Sequence, residues 1–173
     1  MPKGRFEAFS DGVIAILITI MVLELRTPVH GNWGALKDDV PVLLAYLLSF
    51  VMLGIYWNNH HHMLAAVTRI SGMTLWANQH LLFWLSLIPV ATAWMSQNHL
   101  PPIPVAAYGI VLLAASLAYS VLQAVLLRIE DDSSVLAAAI GTDVKGKASP
   151  LMYGLGIGLS FADRWLGTRS LPA

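Results

Sequence analysis

The 173 residues contain no cysteine. That excludes disulfides, thiolate nucleophiles and Cys-containing metal sites. Charge is scarce as well. Asp, Glu, Lys and Arg together make up 12% of the chain, about half the share an ordinary soluble domain carries. A helix in water needs a charged face, and these charges are too few to give several helices one. An ordinary water-soluble domain is thereby excluded, and lipid is the expected solvent. The formal net charge is zero, so no excess of positive charge invites nucleic acid. Residues 1–12 carry charged and polar side chains as far as Asp11. No small-residue cleavage site follows the apolar run after them, so the segment does not read as a cleavable signal.

What is abundant is apolar: 57% of the residues. An uncharged stretch of about 20 residues crosses the hydrocarbon core as a helix. Five such spans are expected, at about residues 9–25, 40–57, 74–95, 105–127 and 149–166. The fifth is the weakest, because it crosses only with Asp163 and Arg164 placed near the headgroups. The fold class that follows is all-α: one polytopic membrane helix bundle occupying residues 1–173 as a single domain, without internal repeats. Pro101, Pro102 and Pro104 make 96–104 a tight uncharged turn. The longest connection is 128–149, within which 133–141 can form a short surface helix. Trp33, Trp57, Trp76, Trp94 and Trp165 lie near proposed span ends, as interfacial anchors do. Gly154, Gly158 and Ala162 form a small-residue stripe suited to close helix packing.

Orientation follows from Lys and Arg in the short loops. With the N-terminus in the cytoplasm, the inner side holds Lys3, Arg5, Arg69, Arg128, Lys145 and Lys147. The outer side holds Arg26, Lys37, Arg164 and Arg169. Six against four favours that choice, and a multi-pass protein of the cell membrane with a cytoplasmic N-terminus is expected.

Arg5, Ser10 and Asp11 stand at the mouth of the first span, where such groups need partners. One reading makes Ser10 or Asp11 the N-cap of the helix. The other is a polar network between helices. Asn58, Asn59, His60, His61 and His62 at the end of the second span, and Asn78 and His80 early in the third, lie at the same depth. Neutral histidine has one donor and one acceptor and can bridge helices. A metal site is not expected. Successive histidines on a helix point about 100° apart, and no HExxH or paired-carboxylate pattern accompanies them. Farther along the first span, Ile16, Thr19, Ile20 and Leu23 share one helix face. Any buried membrane span looks apolar all round, so spacing alone does not make that face a pore. Thr19 can simply bond back to the Ala15 carbonyl.

These residues carry a resemblance. Arg5, Phe9-Ser10-Asp11-Gly12, Ala15-Ile16, Thr19 and Leu23-Glu24-Leu25 ahead of Pro28 resemble the first helix of the lysosomal-type potassium channel family (transmembrane protein 175) and its bacterial homologues. Tyr56-Trp57 with Asn59-His60-His61 resembles the end of the family's second helix. Leu75-Trp76-Ala77-Asn78, Leu87-Ile88-Pro89 and Thr92 resemble its third. Lys145-Gly146-Lys147-Ala148-Ser149 with Tyr153 resembles the start of the fifth.

The resemblance implies a potassium-permeable channel and no enzyme, with no cofactor and no resident metal. The partners it implies are further copies of the chain in a homotetramer, the lipid bilayer and transient K+ ions. First helices would line a pore on the tetramer axis, without a carbonyl-lined filter, and no TVGYG-like stretch occurs here. The main constriction lands on Ile16, a threonine layer on Thr19, and outer apolar layers on Ile20 and Leu23. Arg5, Phe9, Ser10, Asp11, His60, His61 and Asn78 would hold the helices around that pore. The family continues into a sixth helix, whereas residues 163–173 contain no further apolar run. A ring of isoleucines offers an ion no ligands. Potassium sheds water more readily than sodium, so a modest preference for K+ is expected. The alternatives are a secondary transporter, a non-conducting membrane subunit, and a membrane enzyme using His60, His61, His62 and His80. Against the transporter, no inverted repeat and no mid-span acidic residue appear, and Pro89 is the one break candidate.

Overall fold

A computed structural model describes residues 2–25, 39–97 and 102–129, and all regular structure among them is helical. The expected fifth span, the 133–141 helix and the Gly154–Gly158–Ala162 stripe lie outside the described residues. The helices are α1 (Lys3–Leu23), α2 (Val40–Ala65), α3 (Gly72–Ser86), α4 (Ile88–Gln97) and α5 (Pro102–Leu127).

The ends of these helices differ from the expected spans for local reasons. α1 begins just after Pro2, so Ser10 and Asp11 sit inside the helix and cap nothing. A Lys3–Glu7 pair at 3.6 Å, four residues apart, supports the first turns. α2 runs past Trp57 to Ala65. Its C-terminal end contains neither glycine nor proline between Tyr56 and Ala65, so nothing stops the helix there. Asn58, Asn59 and the three histidines are therefore helical, not loop. The third span is two helices. Pro89 has no N–H to give the Leu85 carbonyl, and the chain breaks at Leu87, whose N–H turns to the Trp84 carbonyl at 3.2 Å. Helical bonding resumes with Ala91 N–H to Leu87 O at 3.0 Å. α5 starts on Pro102 with Pro104 two residues on. Proline is tolerated there because the first-turn N–H groups have no intrahelical partner.

Ser71 starts α3 with a reciprocal cap. The Thr74 N–H donates to Ser71 Oγ at 3.1 Å, and the Ser71 N–H donates to Thr74 Oγ1 at 3.3 Å. Such a box stabilises a helix start by about 1 kcal/mol.

α1, α2, α5 and the broken α3–α4 unit alternate in direction. The start of α1 meets the end of α2 through Asp11 and Trp57, and the starts of α1 and α3 meet through Ser10 and Asn78. α5 runs alongside α2, with Tyr108 beside Ser49 and Tyr56 beside Leu112. α3 packs chiefly on α5, α4 packs on both α5 and α2, and α1 packs on α2, α3 and α4. Ile14, Met21, Leu53, Leu64, Leu81, Leu85, Ile88, Leu122 and Leu126 fill the space between. Leucines 43, 44, 47 and 48 of α2, with Val51 and Ile55, remain exposed. A water-soluble monomer rarely leaves so large a contiguous apolar surface uncovered, and three of the helices are long and apolar enough to cross a membrane.

Candidate functional site

The two faces of α1 do different things. Phe6, Ser10, Ile14, Leu17 and Met21 recur every three or four residues and are buried against the bundle. The opposite stripe is Phe9, Gly12, Ile16, Thr19, Ile20 and Leu23, and every one of these is exposed. Ile14 is 0% exposed, Ile16 57% and Leu23 81%. A Cβ added at Gly12 would meet nothing within 4 Å. Thr19 Oγ1 donates to the Ile16 carbonyl at 2.8 Å, three residues back and not to Ala15. All four residues expected at the constriction thus share one uncovered face.

Behind that face, uncharged polar groups tie α1 to its neighbours. His60 Nε2–H donates to Asn78 Oδ1 at 2.8 Å, and Asn78 Nδ2 donates to Ser10 Oγ at 2.9 Å. Ser10 Oγ–H then donates to the Phe6 carbonyl at 3.1 Å. His60, Asn78 and Ser10 are each buried. The His60 ring carries its proton on Nε2, because a carbonyl oxygen only accepts. Its Nδ1 is buried with no hydrogen-bond partner. In a low-dielectric interior a bonded polar chain holds helices in one register, whereas a broken one is costly.

The remaining expected network residues lie elsewhere. Asp11 accepts from Trp57 Nε1 at 3.0 Å at an exposed site. His61 stacks on Trp57 with ring centroids 5.8 Å apart, and is exposed. Phe9 is half exposed beside a hollow of about 290 Å³ that Phe6, Leu75, Asn78 and Gln79 also line. Arg5 is exposed, and no described residue pairs with it. His80 accepts from Trp84 Nε1 at 2.9 Å, at an exposed site of α3. Among the described residues no group of three His, Asp or Glu side chains is placed to hold a metal ion.

A second polar cluster was not anticipated from the sequence. Ser49 Oγ on α2 lies 2.7 Å from Thr92 Oγ1 on α4 and 3.0 Å from Tyr108 OH on α5. Ser49 has one hydrogen, so it donates in one contact and accepts in the other. The Ile88 carbonyl, 2.7 Å from Thr92 Oγ1, competes with Ser49 for the single Thr92 hydroxyl hydrogen. The available signal was a hydroxyl within each of three separate apolar helices, and other hydroxyls in the same helices dilute it. Lys3 is a further tie, donating from Nζ to the Ala65 carbonyl at 3.3 Å and so joining the start of α1 to the end of α2.

This arrangement is a membrane helix bundle with one helix anchored on one side and bare on the other. The TMEM175 family profile, described as the endosomal/lysosomal potassium channel, matches residues 5–89. A protein of Chryseobacterium sp. (strain P1-3) named as a potassium channel is 52% identical over 161 residues, covering 93% of this chain and 84% of that one. One of Streptomyces collinus, also named as a potassium channel, is 33% identical over 170 residues, covering 92% and 82%. The crystal structure of a lysosomal potassium-selective channel TMEM175 homolog from Chamaesiphon minutus superposes with a TM-score of 0.82 at 28% identity. The match covers 96% of this chain and 90% of that one. The chain belongs to the TMEM175 family, a family of membrane channels and not of enzymes.

Proposed function

We propose that the chain is one subunit of a potassium-permeable channel, a homotetramer in a bacterial cell membrane with its N-terminus in the cytoplasm. Four α1 helices line the pore. Ile16 forms the constriction, Thr19 lies one turn outward, and Ile20 and Leu23 continue the apolar lining. The observation that carries this reading is the bare stripe on α1, a helix whose other side is fully packed. Sister α1 helices around an axis give that stripe a cover and a role together. Family membership supplies the permeant ion, since the relatives are named as potassium channels.

The stripe's chemistry sets the mechanism. Isoleucine side chains replace none of an ion's water, and a narrow apolar ring also tends to dewet and close. Permeation therefore follows the cost of losing water, which is lower for K+ than for Na+. Thr19 hydroxyl oxygens still have a lone pair to offer an ion after their hydrogens go to Ile16 carbonyls. The resulting preference for K+ is modest.

The test is ion flux through purified protein in liposomes or planar bilayers, with the oligomer size measured alongside. Ile16→Asn wets the ring, so current rises and the K+-to-Na+ permeability ratio falls toward one. An unchanged reversal potential under K+ and Na+ gradients would remove Ile16 from the constriction. Turnover at carrier rates would favour a transporter, and no flux at all a non-conducting subunit.

A further inference from the structure

A hydrocarbon ring discriminates ions by the cost of dehydration, and that criterion cannot separate potassium from chloride. The two ions hold their water about equally tightly. The apolar rings of Ile16, Ile20 and Leu23 have no intrinsic preference for the sign of charge, and the Thr19 oxygens between them are neutral. A full charge that keeps anions out lies where an ion enters or leaves.

The balance of charge differs between the two ends of the bundle. The inner end carries Lys3, Arg5, Arg69 and Arg128 against Glu7 and Asp11. The outer connection carries Glu24, Asp38 and Asp39 against Arg26 and Lys37, and of these Glu24 and Asp39 are among the described residues. Residues 12–23 of α1 carry no charge. Glu24 follows Leu23 directly as the C-cap of α1, and its side chain is exposed. It stands four residues beyond Ile20, on the flank of the bare stripe, and about 12 Å along the axis from Ile16. Its own N–H serves the Met21 and Val22 carbonyls, so its side chain is not needed to cap the helix. A helix C-terminus is already the negative end of the macrodipole and is the least favourable place for a carboxylate. Breaking that local rule without a local gain marks a functional position.

We propose that Glu24 sets the charge selectivity of this pore. Resting on the channel reading above, four Glu24 carboxylates and four α1 C-termini surround the outer mouth. They concentrate K+ there and exclude Cl−. Fields focused at a low-dielectric mouth raise local counter-ion concentration at least about tenfold. The Ile16 ring, farther in, grades the cations so gathered. Charge selection and K+-over-Na+ selection thus reside in different residues.

The full chain is tested in planar bilayers of neutral lipid under a KCl gradient. Glu24→Gln lowers the K+-to-Cl− permeability ratio about tenfold, while Glu24→Asp stays within about twofold of wild type. The K+-to-Na+ ratio under equal-concentration gradients does not change. Conductance of Glu24→Gln is reduced in dilute KCl and recovers in 1 M KCl, where screening acts within about 3 Å. Because the protein has no cysteine, Glu24→Cys supplies a single thiol for a second measurement on one folded channel. A negatively charged sulfonate reagent raises the K+-to-Cl− ratio, and a positively charged ammonium reagent lowers it. A conducting Glu24→Gln channel with wild-type ratio and wild-type dilute-salt conductance overturns the proposal, as does a thiol indifferent to the sign of its label. A silent wild-type protein overturns the channel reading instead.

Discussion

Asn78 on α3 reaches Ser10 on α1 with a 2.9 Å hydrogen bond, on the side of α1 turned away from Ile16. The bond lies in the wall of the bundle. It fixes how α1 is rotated, and so fixes which residues its bare face presents.

Removing that bond is expected to destabilise the fold. Asn78→Ala strands the His60 Nε2–H and removes the Ser10 partner. Each buried group left unsatisfied costs about 1–3 kcal/mol, and interhelical bonds in membranes couple at about 0.6–2 kcal/mol. A Ser10→Ala, Asn78→Ala double-mutant cycle in detergent, followed by thermal unfolding, measures the coupling. Additive effects of the two changes would deny the bond.

The bond between Trp57 and Asp11 should matter far less to stability. It lies on the exposed end of the bundle, where water replaces whatever is lost. Trp57→Phe is expected to change unfolding stability by less than about 1 kcal/mol. The same assay checks it, and a loss as large as that of Asn78→Ala would place this pair in the buried set.

Ser49→Ala removes the hydroxyl that Thr92 and Tyr108 share, across α2, α4 and α5. The expected cost is about 1–2 kcal/mol. Tyr108→Phe in the Ser49→Ala background should cost less than in wild type, because one interaction is lost once. Equal costs in both backgrounds would mean that the cluster does not act as a unit.

The stripe on α1 can be mapped with single thiols, since no native cysteine competes. In the proposed tetramer, Ile16→Cys or Leu23→Cys would bring sulfurs from separate copies near one axis. Mild oxidation is expected to give covalent dimers on a non-reducing gel. Val121→Cys on the outer face of α5, also exposed, should stay monomeric. Efficient cross-linking at Val121 with none at Ile16 would place the shared axis against α5.

Much of this organisation could be read from the residues, and the gaps have physical causes. Ser10, His60 and Asn78 were grouped from the sequence by their shared depth, because polar side chains in lipid seek one another, and a hydrogen-bond chain joins these three. Their exact membership did not follow. In an apolar helix no contrast marks the buried side, and so Arg5, Phe9 and His61 looked like candidates equal to Ser10. The break at Leu87 was foreshadowed by Pro89, whose missing N–H is a local property. The Ser49–Thr92–Tyr108 cluster depends on three helices converging, and no window along the chain contains that information. The expected second span ends at Trp57 because polar side chains begin there, eight residues short of the end of α2. Without a glycine or proline to stop it, the helix simply continued.

Every bond seen tying the middle of this bundle together joins uncharged groups: serine, threonine, tyrosine, asparagine and a singly protonated imidazole. Each ionised side chain among the described residues sits toward one rim or the other. An electric field across the bilayer does work of about 2.3 kcal/mol per 100 mV on a charge that crosses it, and here it finds no mid-depth charge to push. Among the described helices, then, no ionised side chain is placed for a change of voltage to drive across the bilayer.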